Sequence, residues 1–470
     1  MKKTFSLLFF LFLFVFLASA QKEKWTSLFD GKTLKGWNQK NGKALFKVEN
    51  GEIIGVTVAN TTNSFLCTNE DYGDFILELE LKVDESMNSG IQFRSESKPD
   101  YKDGKVFGYQ MEVDPSPRAW SGGIYDEGRR EWLYIPNINP AGKKAFSNNG
   151  WNKYRIEAIG NTMRTWINGV PVAHLIDDMT PKGFIALQVH AIYGTMKEGM
   201  KIHWKNIRLS AISNQTSAVA NQKVKNDVLN PLSNIYSPLD STPVVNLLLN
   251  NLSEQEKAQG FQLLFNGKDF TGWRGVHQIQ MPDKRWNIVN GIIEVSASDG
   301  SQTGNDIVTT DQYSAFELVF DFKLTEGANS GVKYFVDEKL EATEKSGLGL
   351  EFQILDDERH PDAKMGAVGN RTLGSLYDLI PSYKPDKRFQ KKIGEWNQGR
   401  IIVYPNNIVQ HWLNGFKVVE YERKSNIFDA LVARSKYEKY KGFGAGDKGP
   451  ILLQDHGEAV SFKNIKIRKL

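Results

Sequence analysis

Two copies of one sequence pattern occupy most of the chain, and this repeat constrains the fold more than any other feature. Phe29-Asp30-Gly31-Lys32 with Gly36-Trp37 returns as Phe265-Asn266-Gly267-Lys268 with Gly272-Trp273. Later motifs return in the same order, among them Asn88-Ser89-Gly90-Ile91 as Asn329-Ser330-Gly331-Val332 and Trp166-Ile167-Asn168-Gly169 as Trp412-Leu413-Asn414-Gly415. Because the order is kept and the spacing nearly so, the sequence predicts a tandem duplication of one domain with changes in the loops.

The repeats predict a first domain at residues 25–210, a linker at 211–252 and a second domain at 253–470. The linker is rich in Ser, Asn and Gln and contains three prolines, Pro231, Pro238 and Pro243. We expect local order near residues 244–250. Ser253 and Glu256 have the spacing of a capping box, which predicts a short helix leading into the second domain.

Each repeat has the alternating pattern of β-strands. Phe75, Leu77 and Leu79 alternate with Ile76, Glu78 and Glu80, as expected for a half-buried strand. Asn168-Gly169 and Asn414-Gly415 lie between such runs and predict tight hairpins. Many short strands separated by Gly and Asn turns predict an all-β fold, an antiparallel sandwich or barrel.

The N-terminus has the order of a secretory signal peptide. Lys2 and Lys3 precede an apolar run from Phe5 to Leu17, which ends in Ala18-Ser19-Ala20. This order predicts a signal peptide at residues 1–20, cleavage after Ala20 and export to the periplasm. A spanning helix needs about 20 apolar residues, and no other stretch approaches that length, so we expect no membrane span after the signal is removed.

Composition narrows the class of partner. Cys67 is the single cysteine, which rules out an intrachain disulfide and a cysteine-based metal site. The formal charge of +4 includes Lys2 and Lys3, and no basic block follows them, so nucleic acid is not the expected partner. The chain has 11 Trp, more than a core requires, and sugar-binding proteins use such rings as stacking platforms.

One strand in each repeat carries unusual polar residues. In the second repeat Leu350, Phe352 and Ile354 would face the core, while Glu351 and Gln353 face the other way. The first repeat has Gln110, Glu112 and Asp114 in the corresponding place, with the amide and the carboxylate in swapped order. A carboxylate beside an amide on an otherwise apolar strand suits a ligand site, and we expect it on a concave outer face.

A histidine follows a glutamine by two positions in the closing strand of each repeat, namely His190 after Gln188 and His456 after Gln454. Both pairs would share one strand face, and such a His could be a general base or a ligand to a substrate or metal. Asp356-Asp357-Glu358 could also hold a hard cation, although its spacing matches no calcium loop. A divalent cation is therefore the one candidate cofactor.

No phosphate loop, zinc-protease motif or nucleophile elbow occurs. Other polar residues beside apolar strands or in long loops complete a set of candidates, which are Arg371, Tyr377 and Lys436 in the second repeat and Arg94 and Tyr125 in the first. For each of them taken alone, the ordinary alternative is a solvated sheet face or a hydrogen-bonded structural group.

The complete set of motifs resembles a known family. The motifs Glu351-Phe352-Gln353-Ile354-Leu355-Asp356, Leu376-Tyr377-Asp378, Glu395-Trp396-Asn397 and Leu453-Gln454-Asp455-His456-Gly457, with those above, are similar to the 3-keto-disaccharide hydrolase family, also described as 3-keto-glucoside 1,2-lyases and 3-keto-2-hydroxy-glucal hydratases. The resemblance covers about residues 25–210 and 258–470. It implies two tandem concanavalin-like β-jelly-roll sandwiches.

The resemblance also implies an exported carbohydrate-active enzyme that cleaves 3-keto-glycosides. The C3 ketone acidifies the C2 proton, the C1 aglycone leaves by elimination, and water then adds to the enone. On this basis we expect Glu351 and His456 as base and acid in the second repeat, and Glu112 and His190 in the first. Substrate-binding roles fall to Gln353, Asp356, Arg371, Tyr377 and Lys436, and to Arg94, Gln110, Asp114 and Tyr125.

Two departures leave open whether both domains are active. The first repeat has Gln110-Met111-Glu112 where the second has Glu351-Phe352-Gln353, and Phe335 stands where the first repeat has Arg94. Two rival functions also remain. One is a tandem carbohydrate-binding protein without catalysis, and the other is a structural exported protein whose polar strands face water.

Overall fold

The computed structural model describes residues 24–148, 150–194, 196–212, 242–298, 305–340 and 346–470. The predicted signal peptide lies outside the described residues, so cleavage after Ala20 and export stay predictions. Residues 213–241, most of the predicted linker, lie outside them as well. Within the described ranges, no helix has the length and apolar content needed to cross a bilayer.

The first repeat is built almost entirely of strands. In chain order they are β1 (Trp25–Ser27), β2 (Trp37–Asn41), β3 (Leu45–Glu49), β4 (Glu52–Val56), β5 (Ser64–Tyr72), β6 (Phe75–Val83), β7 (Ser89–Ser97), β8 (Val106–Val113), β9 (Ile124–Glu127), β10 (Glu131–Tyr134), β11 (Asn152–Ile159), β12 (Thr162–Ile167), β13 (Val170–Ile176), β14 (Gly183–Val189) and β15 (Lys201–Ala211). One helical turn, α1 (Pro140–Lys143), and 3-10 turns at Lys102–Gly104 and Pro136–Ile138 lie in the loops.

The second repeat follows one further strand, β16 (Val244–Asn246), and a short helix, α2 (Glu254–Ala258). Its strands are β17 (Gln262–Leu263), β18 (Trp273–Gly275), β19 (Trp286–Val289), β20 (Ile292–Val295), β21 (Ile307–Thr309), β22 (Phe316–Leu324), β23 (Asn329–Asp337), β24 (Leu348–Leu355), β25 (Trp396–Val403), β26 (Ile408–Leu413), β27 (Phe416–Glu422), β28 (Leu452–Leu453) and β29 (Val460–Lys469). Helix α3 (Asn426–Val432) and 3-10 turns at Pro361–Lys364 and Lys387–Phe389 complete it.

Each repeat is a sandwich of two sheets whose strands pair antiparallel, apart from the parallel pair of β16 with β13 at one edge. The first has the orders β16-β13-β12-β11-β6-β15-β4-β3, with β1 on β15, and β10-β9-β8-β7-β14-β5-β2. The second has β19-β20-β29-β22-β25-β26-β27, with β17 on β29, and β18-β21-β28-β23-β24. The protein is therefore all-β, with two tandem concanavalin-like jelly rolls, and β8 and β24 hold equivalent places next to β7 and β23.

The predicted inward faces of β8 and β24 are confirmed. Leu350, Phe352 and Ile354 are fully buried in the core of the second repeat. Tyr109, Met111 and Val113 take the same position in the core of the first. Because side chains alternate along a strand, this packing turns Glu351 and Gln353, and Gln110 and Glu112, to the opposite face.

The two predicted hairpins are also confirmed. Asn168 and Gly169 join β12 to β13 with φ angles of 51° and 80°, and Asn414 and Gly415 join β26 to β27 with 49° and 81°. Positive φ at both central positions is the requirement of a type I′ turn, which Asn-Gly meets at little cost.

The end of the predicted linker belongs to the first domain's sheet. Strand β16 pairs in parallel with β13, so the chain adds an edge strand to the first repeat before it enters the second. The predicted capping box then starts α2, with Ser253 accepting the Glu256 amide and Glu256 reaching back to the Ser253 amide. Glu256 also binds the Lys466 ammonium at 2.5 Å, which ties the helix to β29.

Candidate functional site

A cavity of about 240 Å³ lies over the polar face of β24 in the second repeat. We call it the β24 cavity. Five of the residues that the sequence predicted for the second site line it, namely Glu351, Gln353, Tyr377, Lys436 and His456. The structure therefore brings the strand carboxylate and the closing-strand histidine to one cavity.

The carboxylate of Glu351 is held close against a glycine. Glu351 is only 4% exposed, so the polar strand face is covered rather than open. A Cβ added to Gly331 on the neighbouring strand would come within 2.1 Å of Glu351 Oε1. The glycine of the Asn-Ser-Gly motif therefore makes room for this carboxylate.

Burial and the nearby positive charges have opposite effects on the pKa of Glu351. Burial raises the pKa of Glu351, and the ammonium groups of Lys333 and Lys436 offset part of that rise. Lys333 pairs with Glu351 across the strands, and its Nζ lies 3.6 Å from a second buried carboxylate, Asp306. Burial raises the pKa of Asp306 as well. Two carboxylates thus share the positive charge of the cavity, which keeps their proton affinity high.

Gln353 leaves a hydrogen-bonding group unused at the cavity wall. Its side chain is 1% exposed, and its Oε1 has no hydrogen-bond partner among the described residues. Its Nε2 makes one long contact of 3.4 Å with Asn329 Oδ1. A buried unpaired carbonyl oxygen costs about 1–3 kcal/mol. Such a group is expected where a ligand hydroxyl or a water completes the bonding.

One wall of the cavity comes from a segment that the first repeat lacks. The segment between the Asn-Gly hairpin and the closing strand runs from 415 to 452 in the second repeat and from 169 to 186 in the first. This segment is therefore 20 residues longer in the second repeat. This segment contains α3 and then Lys436, Tyr437 and Tyr440, which line the cavity. Burial lowers the pKa of Lys436.

Tyr377 is held in the wall by a chain of ionic hydrogen bonds. Its hydroxyl donates to Asp362 at 2.7 Å, and burial together with that carboxylate raises its pKa. Arg371 bridges Asp362 and Asp378 at 2.8 and 2.7 Å. The Lys436 ammonium lies 4.1 Å from the centre of the Tyr377 ring. Arg371 therefore positions Tyr377, which corrects the expectation that its guanidinium binds substrate.

Asp356 does not line the β24 cavity. Its carboxylate accepts the backbone amides of Gly327 and Glu358 at 2.8 and 3.1 Å, and Arg359 at 3.3 Å. Its neighbour Asp357 binds the Lys384 ammonium. The expected substrate role of Asp356 is corrected to fixing the loop after β24.

A different cluster could hold a metal. His360, His456 and Glu458 each offer a ligand atom, and these atoms lie within 4.8 Å of one another. His456 is partly exposed, with Nδ1 3.2 Å from Glu458 Oε2. The cluster adjoins the cavity through His456.

In the first repeat the corresponding polar residues bond to one another. Glu112 accepts from Asn88 at 2.6 Å, from Gln110 at 3.0 Å and from Arg118 at 3.4 Å. Gln110 in turn accepts from Gln92 at 2.6 Å. Burial raises the pKa of Glu112 to about 7. The carboxylate is thus surrounded by partners from its own domain.

Asp114 and Tyr125 contact residues that surround Trp120, which packs against the second repeat. Asp114 binds Arg118 at 2.7 Å, and the Arg118 guanidinium lies 4.5 Å from the Trp120 ring. Trp120 packs 5.7 Å from Phe416 and is part of the second repeat's core. Tyr125 packs edge-on against Trp132, which itself contacts Trp120.

Arg94 differs from the expectation, whereas the catalytic role of His190 stays a prediction. Arg94 is buried, and its guanidinium donates to the carbonyl oxygens of Gly73 and Gly160 and to Asp74, so it does not face a substrate as predicted. Its φ is +46° at a bulge between β7 and β8, where the strand register shifts. His190 uses Nδ1 to contact the Ala191 carbonyl at 2.7 Å, and burial lowers its pKa.

Sequence reasoning missed several cavity residues, among them Asn329, Lys333, Ser346, Tyr437 and Tyr440. Alternation along β23 could have identified two of them, because Asn329 and Lys333 flank Gly331 on the same sheet face as Gln353 and Glu351. Tyr437 and Tyr440 lie in the segment that only the second repeat has, where the repeat supplied no guide.

Comparison with known proteins places both repeats in one family. The sequence model of the family described as the 3-keto-alpha-glucoside-1,2-lyase-like domain matches residues 24–210 and again residues 260–468. A 3-keto-disaccharide hydrolase of Bacteroides thetaiotaomicron is 34% identical over 236 residues, which is 45% of this chain and 79% of that protein.

Two solved structures complete the comparison. The crystal structure of a proposed glycosyl hydrolase from Parabacteroides distasonis is 33% identical, covers 47% of this chain and 99% of its own, and has a TM-score of 0.42. A Bacillus subtilis carbohydrate-binding module of the CBM66 type is 18% identical over 37% of this chain and 96% of its own, with a TM-score of 0.28. The two family matches cover most of the chain, and the protein belongs to the 3-keto-alpha-glucoside-1,2-lyase-like family with two copies of its domain.

Proposed function

We propose that the protein cleaves 3-keto-glycosides and that the second repeat carries out the chemistry. The observation that carries this proposal is the buried carboxylate of Glu351, which faces the β24 cavity beside two ammonium groups. Family membership and the 3-keto-disaccharide hydrolase among the relatives support the substrate class.

In the proposed first step, Glu351 takes the proton from C2, which the C3 ketone has made acidic. The electron pair of the C2–H bond forms a C1=C2 double bond, and the C1–O bond breaks with its electrons on the aglycone oxygen. That oxygen needs a proton, and Tyr377 or Lys436, which also line the cavity, can supply it. Lys333 and the Gln353 amide would bind the polar oxygens of the ring.

In the second step, water adds to the enone. Its oxygen bonds to C1 and its proton passes to Tyr377 or Lys436, whichever protonated the aglycone. Glu351 returns a proton to C2, which restores its carboxylate. The net result is hydrolysis to a 3-keto sugar and a free aglycone. His456 lines the same cavity. The sequence predicts that it acts as an acid or base, and this role stays a prediction.

We propose that the first repeat does not catalyse this reaction. Its carboxylate Glu112 is already bound by Asn88, Gln110 and Arg118. It also lacks the 20-residue segment that builds one wall of the β24 cavity. Its contacts through Trp120 and β16 suggest that it supports the second repeat instead.

Incubation of the purified protein with a 3-keto-glucoside tests the proposal. We expect release of the aglycone and a transient enone absorbance. Sugar binding without turnover would support the rival carbohydrate-binding function. Neither binding nor turnover would favour a structural role.

A further inference from the structure

Two loops bring three potential metal ligands together at the edge of the β24 cavity. The ligand atoms of His360, His456 and Glu458 lie within 4.8 Å of one another, and His456 also lines the cavity. We propose that these three residues bind a divalent transition-metal ion, such as Zn²⁺, next to the site of Glu351. The sequence offered His456 as one possible metal ligand and Asp356-Asp357-Glu358 as a possible cation site, but it did not join His456 to His360 and Glu458.

The loop that carries His360 is held in place by backbone hydrogen bonds. The His360 amide donates to the Asp356 carbonyl at 3.0 Å, and His360 caps the 3-10 turn Pro361–Lys364. The buried Asp356 carboxylate fixes the same loop through the Gly327 and Glu358 amides. His360 therefore comes to the site on a fixed support.

His456 and Glu458 come from the loop between β28 and β29, where their side chains have room to turn. The His360 and His456 rings lie 5.8 Å apart at 82° to one another. The side chain of His456 is 44% exposed and that of Glu458 is 36% exposed. A closure of up to about 1.4 Å would bring the three atoms to the separation of about 3.4 Å expected for bonds of about 2.1 Å to one ion.

The donor set selects the class of metal. Two imidazoles and one carboxylate are the ligands of catalytic zinc sites, which keep a position open for water or substrate. Calcium and magnesium prefer oxygen ligands throughout. We therefore expect binding of Zn²⁺ or Co²⁺ and little competition from Ca²⁺.

The tautomers of His456 and His360 allow both rings to bind an ion with the loss of one hydrogen bond. The His456 Nδ1 lies 3.2 Å from the Glu458 carboxylate, and as a donor there it leaves Nε2 with its lone pair for the ion. The His360 Nδ1 accepts the Asp362 amide at 3.2 Å. Coordination through that nitrogen would exchange one long hydrogen bond for a metal bond.

The use of the ion rests on the proposed function, whereas its binding does not. A cation at the cavity edge could take the C3 ketone oxygen and a neighbouring hydroxyl as its open ligands. It would then stabilise the negative charge that develops on the ketone oxygen when Glu351 removes the C2 proton. In this arrangement His456 holds the cation rather than a proton.

The test is titration of chelator-treated, tag-free protein with Co²⁺ in the absence of substrate, followed by visible absorbance. We expect saturation at one equivalent, displacement by Zn²⁺ and no displacement by Ca²⁺. His360→Ala and Glu458→Gln should each weaken binding at least tenfold. His277→Ala, an exposed histidine of the same repeat, is the matched control and should bind as the wild type does.

Absence of saturable Co²⁺ and Zn²⁺ binding in the wild type would overturn the proposal, as would wild-type affinity in both ligand variants. Glu458 is partly exposed, so its variant keeps the test valid if His360→Ala does not fold. Because no substrate is used, the result is separate from turnover. A bound metal without turnover would leave the site standing and remove the proposed function.

Discussion

The carboxylate of Glu351 occupies the space that a side chain on Gly331 would need, since a Cβ there would lie 2.1 Å from Oε1. Gly331→Ala should therefore displace the carboxylate and lower kcat by about 100-fold, the usual cost of moving a catalytic group by about 1 Å. Gly90→Ala is the matched control, because a Cβ at Gly90 would meet Gln110 Cδ at 2.3 Å in the first repeat. Equal losses in both variants would contradict assignment of the chemistry to the second repeat.

Tyr377 should contribute through its hydroxyl, which Asp362 and Arg371 hold against the cavity. If it protonates the leaving oxygen, Tyr377→Phe should lower kcat by about 10²-fold with little change in KM. The loss should shrink for substrates whose aglycones are acidic phenols, because these leave without a proton. Tyr125→Phe, at the equivalent place in the first repeat, should leave the rate unchanged. A Tyr377→Phe loss that is equal for all aglycones would contradict the role of acid.

The pH dependence of kcat/KM should report Glu351. A base works only when it is ionised, and burial raises the pKa of this carboxylate above its usual range. Activity should therefore fall as the pH drops through that raised pKa, at a higher pH than an exposed glutamate would give. Lys333 lowers the pKa of Glu351, so Lys333→Met should move the acid limb to still higher pH. A shift toward lower pH would contradict the assignment.

Glu112 should affect stability rather than rate. Its pKa is raised to about 7 in the folded protein, against about 4.5 unfolded, because it is buried. The folded state thus binds this proton more tightly, and the stability it contributes is fully present below pH 4.5 and is lost as the pH rises through 7. Comparison of Glu112→Gln with the wild type by denaturant unfolding should show a difference that changes by about 3 kcal/mol between pH 4.5 and 8. A difference independent of pH would mean that Glu112 titrates normally.

Most of the fold was predictable because the sequence patterns of strands and hairpins depend on residues that are close together in the chain. Alternation at Leu350, Phe352 and Ile354 identified the core face of β24, and Asn414-Gly415 identified the hairpin. The duplication supplied the rest, since two copies of one pattern predict two copies of one sandwich. The pairing of β16 was not predicted, because its partner β13 lies in the preceding domain and far away in the sequence.

The site was predictable only in part. Alternation placed Glu351 and Gln353 on one face, and the repeat added His456. Arg94 was misplaced because a bulge with positive φ changes which way a strand residue points. Arg371 and Asp356 were misread because their partners, Asp362 and the Gly327 amide, come from loops whose paths a strand pattern does not describe.

The central claim is that Glu351 removes the C2 proton, and an isotope measurement tests it most directly. Enone formation should be followed with a 3-keto-glucoside that carries hydrogen or deuterium at C2, using the wild type, Glu351→Gln and Glu112→Gln. We expect the deuterated substrate to react more slowly with the wild type and with Glu112→Gln. Glu351→Gln should lose about 10² to 10⁴ in rate. An unchanged rate of enone formation in Glu351→Gln would contradict the account. A loss of rate that occurs in Glu112→Gln alone would contradict it as well.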